Sequence, residues 1–134
     1  MNGKQIYRSL VLFGTACCLS ASLSGVAQGA QMVLHARLTG NDQMWGTVEY
    51  VVHGRGYRTL HCDIFSANRD QFLAVVIRRN KEWVNLGWCP VNRRGQATIE
   101  LTTLYGHYIP MLKRGDIVEV WTRNHVRVLS GRLQ

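Results

Sequence analysis

The chain has 134 residues, of which 16 are Lys or Arg and 8 are Asp or Glu, and its formal net charge is +8. Once a short N-terminal segment is set aside, that length corresponds to one domain of ordinary size. The positive charge favours anionic surroundings such as cell-wall polymers, lipid headgroups or nucleic acid, and it says nothing about the fold. No 3.6-residue hydrophobic period appears after residue 31, which excludes a helical domain.

The N-terminus has the pattern of an export signal. Lys4 and Arg8 precede an uncharged, mostly apolar stretch over residues 9–26, and small residues follow it. The pattern predicts a signal peptide over residues 1–27, with cleavage after position 27 or after position 29. Gly and Ser residues dilute the apolar stretch too much for a membrane anchor. We therefore expect a secreted or periplasmic product with no stable membrane span after cleavage.

The rest of the chain, residues 32–134, is predicted to form one antiparallel β domain. Apolar and polar residues alternate along short segments that are separated by Gly, Asn and Asp turns. The predicted strands are Met32–Leu38, Trp45–His53, Tyr57–Phe65, Phe72–Ile77, Trp83–Val91, Ala97–Thr102, Asp116–Thr122 and His125–Leu133. Eight short strands at this spacing predict a single all-β antiparallel sandwich or small barrel.

The alternation also predicts which side chains face the core. On the first three strands these are Met32, Leu34, Ala36, Leu38, Val48, Tyr50, Val52, Leu60, Cys62 and Ile64. The segment Phe72–Ile77 is apolar on both faces, as expected for a strand in the middle of a covered sheet. On the next strand, Val84, Leu86 and Trp88 are expected on one face. The acidic residues Glu49, Glu100 and Glu119 alternate with core residues and are expected to face solvent.

Two features leave alternatives open. Trp45, Trp83 and Trp121 lie opposite the best apolar faces, where they would be exposed platforms for sugar rings or bases, or a second layer of core. Cys62 and Cys89 remain after the signal peptide and would meet an oxidising compartment, so they are predicted to form a disulfide rather than a reactive thiol pair.

A group of basic residues is expected to lie at one end of the domain. In a simple meander, the turns after His53 and Arg78 lie at the same end, and the long connection Thr103–Gly115 returns to it. The candidate polyanion-binding residues are Arg55, Arg58, Arg78, Arg79, Lys81, Lys113 and Arg114. The alternative is that these are solvated turn residues that keep the protein soluble.

No spacing of residues indicates catalysis or metal binding. The five histidines lack the short His-x-His or paired His and Cys spacing of metal sites, and no Gly-x-Ser-x-Gly elbow occurs. Asp63 with His61, or Asp116 with His107, could still meet in space. We predict no catalytic residue, no metal ligand and no cofactor, and an enzyme is the less favoured class.

Several short segments carry a resemblance to known proteins. They are Gly46–Tyr50, Val75–Gly87, Gly95–Leu101, Pro110 with Gly115–Val120, and Leu129–Gly131. Together they resemble a group of small secreted bacterial β-sandwich proteins without an assigned activity. The resemblance covers most of residues 33–133 and consists of turn glycines and core valines, so it implies architecture rather than chemistry.

The sequence therefore predicts a non-catalytic secreted β module with a binding or structural role in the cell envelope or extracellular space. The second interpretation is a binder of polyanions or carbohydrates that uses the basic end and exposed aromatic residues, and the third is a small hydrolase or metal-binding protein. The expected partner is an anionic polymer or carbohydrate of the cell envelope, without a specific nucleic acid. Exposed Trp and Arg side chains clustered on one face would favour the binder.

Overall fold

The computed structural model describes residues 30–40, 42–68 and 71–134. The predicted signal peptide lies outside these residues. Residues 33–51 and 57–134 form one compact unit, whereas residues 30–32 and 52–56 belong to a second one. In that second unit, the Gly56 N–H donates to the His53 carbonyl at 2.8 Å and closes a tight turn. The first unit contains most of the sheet.

The described residues contain eight strands and no α-helix. The strands are β1 Ala30–Thr39, β2 Trp45–His53, β3 Arg58–Phe65, β4 Phe72–Arg79, β5 Glu82–Pro90, β6 Ala97–Thr102, β7 Ile117–Thr122 and β8 Arg127–Arg132. A single 3₁₀ turn, Thr103–Tyr105, follows β6. No helix in this part of the chain is long and apolar enough to cross a membrane.

The strands form one antiparallel sheet that nearly closes into a barrel. Their order is β5-β4-β7-β8-β1-β2-β3-β6, and the two edge strands β5 and β6 contact each other. The prediction of an all-β antiparallel fold of eight strands is confirmed. The simple meander is wrong, because β3 pairs with β6 and β4 pairs with β7.

The interior is filled mainly by the residues that the alternation assigned to it, although Met32 is only partly buried. Glu119, which was expected to face solvent, is buried on the outer face. The largest fully buried side chains are Tyr50, Leu34, Leu38, Leu60, Ile64, Leu73, Ile77, Ile109, Leu129, Leu133, Glu119 and Val48. Successive side chains of a strand point to opposite faces, so β1, β2, β3 and β6 each contribute every second residue to this core. Strand β4 is covered on both faces as predicted, with Leu73 to Ile77 all buried.

Strands β8 and β1 approach so closely that one position requires glycine. A Cβ on Gly131 would lie 2.9 Å from Leu38 Cδ2 and closer still to the Arg37 carbonyl oxygen. No side chain fits there, because both neighbours belong to the packed strand β1. This close contact joins the β5-β4-β7-β8 half of the sheet to the other half.

A β-bulge in β5 changes which side chains reach the outer face. Val75 pairs with Gly87 but Val76 pairs with Asn85, so Leu86 is the extra residue. The predicted grouping of Val84, Leu86 and Trp88 on one face is therefore wrong. Instead, Trp83 lies opposite Arg78 and Trp88 lies opposite Ala74, which places both tryptophans on the outer face of the sheet.

The predicted Cys62–Cys89 disulfide is absent from the structure. Both residues are free thiols, and both are buried in the core. Cys89 Sγ donates a hydrogen bond to the Leu73 carbonyl of the paired strand β4 at 3.4 Å. Burial raises the pKa of Cys62, and the neighbouring Cys89 and Asp63 add to that rise; burial likewise raises the pKa of Cys89. The two thiols are therefore protonated at neutral pH.

Candidate functional site

A basic cavity lies where β4 ends and β7 begins. Arg78 of β4 pairs with Ile117 of β7, so the turn after β4 and the segment before β7 meet at one edge of the sheet. The cavity has a volume of about 300 Å³ and is lined by Arg78, Arg79, Asn80, Lys113, Arg114, Gly115, Asp116 and Ile117. Four of the predicted polyanion-binding residues are therefore brought together, although the meander from which their proximity was inferred does not exist.

Arg79 does not present a free charge to this cavity. Its Nε donates to Asp116 Oδ1 at 3.2 Å, and its Nη2 donates to Asp116 Oδ2 at 2.6 Å. Asp116 is only 4% exposed and also accepts a hydrogen bond from the Lys113 backbone N–H at 3.0 Å. Burial raises the pKa of Asp116, but the hydrogen bonds from Arg79 and Lys113 and their charges outweigh it, so the pKa is lowered overall. Arg79 therefore neutralises a buried carboxylate.

Three hydrogen bonds fix the long connection between β6 and β7 against the barrel. Arg58 Nη2 donates to the Ile109 carbonyl at 2.7 Å, and Arg79 Nη2 donates to the Met111 carbonyl at 2.5 Å. The buried Tyr50 hydroxyl accepts from the Leu112 N–H at 3.2 Å. The side chains of this connection that line the cavity are thus carried on an anchored backbone.

Lys113 and Arg114 are the cavity residues whose charge is available. Neither forms a salt bridge with an acidic side chain among the described residues. Lys81 is exposed on the turn after β4 but does not line the cavity, and Arg58 is held by the carbonyl of Ile109. Arg55 belongs to the second compact unit and is described only there.

The outer face next to the cavity contains a buried acidic residue that the sequence did not predict. Glu119 was expected to face solvent, yet it is 1% exposed. Its Oε2 accepts from Arg78 Nη1 at 3.3 Å and from Arg127 Nη1 at 3.4 Å, and its Oε1 accepts from Trp121 Nε1 at 2.8 Å. The side chains of the neighbouring strands cover the carboxylate and supply its hydrogen bonds, which satisfies a buried charge.

Exposed aromatic residues lie on the same outer face of the sheet as this buried carboxylate. Trp83 is 56% exposed, Trp88 45% and Phe72 42%. The guanidinium carbon of Arg78 lies 5.8 Å from the ring centroid of Trp83, and that of Arg123 lies 5.2 Å from Phe72. We refer to Phe72, Trp83, Trp88, Trp121 and these arginines, together with Arg127, as the aromatic face.

The sequence left open whether the tryptophans are exposed platforms or a second layer of core, and the structure contains both kinds. Trp83 is exposed, whereas Trp121 and Trp45 are only partly exposed. Trp45 stacks on Phe65 with ring centroids 4.5 Å apart, and Arg37 covers it at 4.8 Å. Trp45 is thus part of a packed stack, and Trp83 is a platform open to solvent.

A separate cluster of titratable groups lies on β3 and β6. His61 Nε2 lies 2.7 Å from Asp63 Oδ2, and its Nδ1 lies 2.9 Å from Glu100 Oε2. Thr98 Oγ1 donates to Asp63 Oδ1 at 2.7 Å. The hydrogen bond to Asp63 raises the pKa of His61 to about 8; burial opposes the rise, and the charges of Asp63 and Glu100 contribute to it. Both ring nitrogens face carboxylates, so the imidazolium form can donate to both.

This cluster does not form a catalytic arrangement. A histidine that activates a nucleophile needs one ring nitrogen free to accept the proton, and in His61 both nitrogens are occupied by carboxylates. Asp116 is paired with Arg79, and His107 Nδ1 accepts from the Thr102 N–H at 3.0 Å, so these two residues do not form the other considered pair. Within the described ranges, no three His, Cys, Asp or Glu side chains are placed to hold a metal ion.

The raised pKa of His61 predicts a pH-dependent contribution to stability. The folded pKa of about 8 exceeds the ordinary 6.5, so the stabilisation is complete below pH 6.5 and is lost as the pH rises through 8. Because 40% of the His61 side chain is exposed, solvent screening limits the effect to about 1 kcal/mol. Urea unfolding between pH 6 and 9 should show this loss in the wild type and not in His61→Gln.

The matched control for that experiment is His35→Gln. His35 lies 4.0 Å from Glu49, and both side chains are more than half exposed. This variant should keep the wild-type pH profile. A His61→Gln protein whose stability falls as steeply as that of the wild type would contradict the role assigned to the cluster.

The cavity and the aromatic face share Arg78, which lines the cavity and lies over the Trp83 ring. The arrangement can bind a negative group at Lys113 and Arg114 next to an exposed aromatic ring. The resemblance to small secreted bacterial β-sandwich proteins stays a prediction. No family model, no curated protein and no solved structure matches this chain.

Proposed function

We propose that the protein is a non-catalytic binding module for an anionic polymer, and that it acts in the cell envelope or extracellular space. The observation that carries the proposal is that Lys113 and Arg114, which form no salt bridge among the described residues, line a cavity of about 300 Å³. Asp116, the carboxylate that lines the cavity, is already neutralised by Arg79. An anion that enters therefore meets Lys113 and Arg114 beside a carboxylate that is already paired, whereas the exposed Glu82, cross-strand from Arg79, lies outside the lining.

A polymer fits this charge distribution better than a small anion does. The formal net charge of +8 becomes +6 once Lys4 and Arg8 leave with the expected signal peptide, and it gives the molecule a positive potential that attracts polyanions over a distance. On the aromatic face, Arg123 and the one positive charge by which Arg78 and Arg127 exceed Glu119 continue the positive charge away from the cavity, and Lys81 extends it at the adjoining turn. A chain with many negative groups can contact several of these sites at once, which increases its affinity without any single strong contact. The export signal expected at the N-terminus supports an extracytoplasmic polymer.

The double variant Lys113→Gln/Arg114→Gln tests the proposal. Because each cation that contacts a polyanion releases bound counterions, removing two should reduce the slope of log affinity against log salt concentration by about 1.5. The measurement is binding to heparin and to inorganic polyphosphate by titration calorimetry at several salt concentrations from 50 to 200 mM.

Arg93→Gln/Arg94→Gln is the matched control, because these adjacent arginines are exposed on the turn between β5 and β6 and do not line the cavity. It removes the same charge and should leave the slope closer to that of the wild type. Equal slopes for the two double variants would mean that only total charge matters. Salt-independent binding, or no binding to either polymer, would refute the proposed function.

A further inference from the structure

The aromatic face limits what kind of polymer the module can take. Arg78 connects the face with the cavity, since it lines the cavity, donates to Glu119 and lies 5.8 Å from the ring centroid of Trp83. A ligand whose negative group is bound at Lys113 and Arg114 therefore has an exposed indole within reach. A polymer of anions without rings would have no group that stacks on the Trp83 indole.

The bulge in β5 aligns two exposed tryptophans along one edge. Trp83 pairs with Arg78 and Trp88 pairs with Ala74, four residues apart on β4. At about 3.3 Å per residue, the two positions are separated by roughly 13 Å along the strand. Beneath them, Ala74 and Val76 are buried at 1% and 7% exposure, so the platform is backed by a packed sheet.

Guanidinium groups accompany these rings. Arg123 lies over Phe72, Arg78 lies over Trp83, and Arg127 reaches Glu119 beside Trp121. A sugar ring offers an apolar C–H face to an indole, while its carboxylate or sulfate accepts paired hydrogen bonds from a guanidinium. One ligand class contains both features in every repeating unit, namely an acidic polysaccharide.

Single-stranded nucleic acid fits the same face less well. Proteins that bind it stack successive bases on aromatic side chains along a positively charged groove. Here the two exposed indoles lie roughly 13 Å apart on an open sheet face, too far for neighbouring bases that are stacked on each other. Sugar units in an extended chain do not need to stack on one another, so the separation places no such limit on them.

Resting on the proposed function, we infer that the ligand is an acidic polysaccharide that stacks a sugar ring on Trp83 and places an acidic group at Lys113 and Arg114. The test compares Trp83→Ala with the wild type on four probes: polygalacturonate, dextran, inorganic polyphosphate and a thymidine homopolymer. Loss of one stacked ring should weaken polygalacturonate binding about five- to tenfold. Binding to polyphosphate should stay unchanged, and neutral dextran should bind weakly or not at all.

Two further variants keep the test specific. Tyr105→Ala removes an exposed aromatic residue from the 3₁₀ turn and should change neither affinity. Trp83→Phe keeps a ring and should retain most of the affinity for polygalacturonate. Thermal unfolding of each variant checks that the exposed substitution leaves the fold intact.

The outcomes separate this inference from the proposed function. If Trp83→Ala binds polygalacturonate and polyphosphate as the wild type does, the polysaccharide inference is wrong and anion binding stands. Binding to no anionic probe refutes both. Tighter binding of the thymidine homopolymer than of polygalacturonate, lost in Trp83→Ala, would identify single-stranded nucleic acid as the ligand and overturn the inference.

Discussion

Replacing both Arg78 and Arg127 with methionine should lower the free energy of unfolding by about 3–5 kcal/mol. The two guanidinium groups are the cations that contact the Glu119 carboxylate, which is 1% exposed. Without them, the hydrogen bond from Trp121 Nε1 is the one that the buried negative charge keeps among the described residues. Each single variant should cost much less, because the other arginine remains at 3.3–3.4 Å. Urea unfolding at pH 7 measures all three.

Adding Glu119→Gln to the double variant provides the control. It removes the uncompensated charge while an amide oxygen can still accept from the indole, so much of the lost stability should return. If the triple variant is no more stable than the double variant, the loss came from the packing of the two long side chains and not from the buried charge.

The strands themselves were predictable from sequence because their side chains alternate. On β1, β2 and β3 the period of two is unbroken, and Leu34, Tyr50 and Ile64 are buried as the pattern requires. The segment Phe72–Ile77 was recognisable as a central strand by its lack of alternation, and in the sheet β4 lies between β5 and β7. The local pattern of apolar and polar residues therefore determines both the core-facing residues of β1 to β3 and the central position of β4.

The aromatic face was not predictable, because it depends on an insertion of one residue in a strand. The bulge at Leu86 shifts the alternation, so Trp83 and Trp88 share a face although they are an odd number of residues apart. In the sequence, Gly87 indicates an irregular position there, and in the structure its φ is 149°. A glycine within a strand indicates a bulge only weakly, so the pattern alone favoured a regular strand.

Glu119 was misassigned because one of its two arginine partners is far away in sequence. It alternates with Val118 and Val120, which normally places an acidic residue in solvent. Its burial follows from Arg78, which is 41 residues away and becomes a neighbour only when β4 pairs with β7. Trp121, two residues further on the same face, was the available hint, because a large aromatic residue can cover its neighbour.

The basic cavity was predicted in part. The turn after β4 and the segment before β7 were expected at one end, and antiparallel pairing of Arg78 with Ile117 places them there. The sequence could not show which of these basic residues is paired with an acid. Arg79 is bound to Asp116, while Lys113 and Arg114 stay unpaired among the described residues. Ion pairing depends on side-chain positions that a charge pattern does not specify.

Replacing Asp116 with asparagine should lower the free energy of unfolding by about 2–3 kcal/mol at pH 7. The substitution keeps the shape of the side chain but replaces one acceptor oxygen with an amide NH₂, so at least one of the bonds from Arg79 and the Lys113 N–H is lost. The others become weaker, because the acceptor is no longer charged. The same contacts hold the end of the long connection next to the cavity.

The pH dependence of this loss tests its cause. The pKa of Asp116 is lowered in the folded protein, so its contribution is complete above the ordinary aspartate pKa of about 3.9 and disappears as the pH falls through the folded value. The stability difference between the wild type and Asp116→Asn should therefore be constant from pH 5 to 7 and shrink towards pH 2. The control is Asp42→Asn, an exposed aspartate that should change stability by less than about 0.5 kcal/mol. A difference for Asp116→Asn that persists unchanged at pH 2 would show that the side-chain packing, and not the charge held by Arg79, stabilises this edge of the sheet.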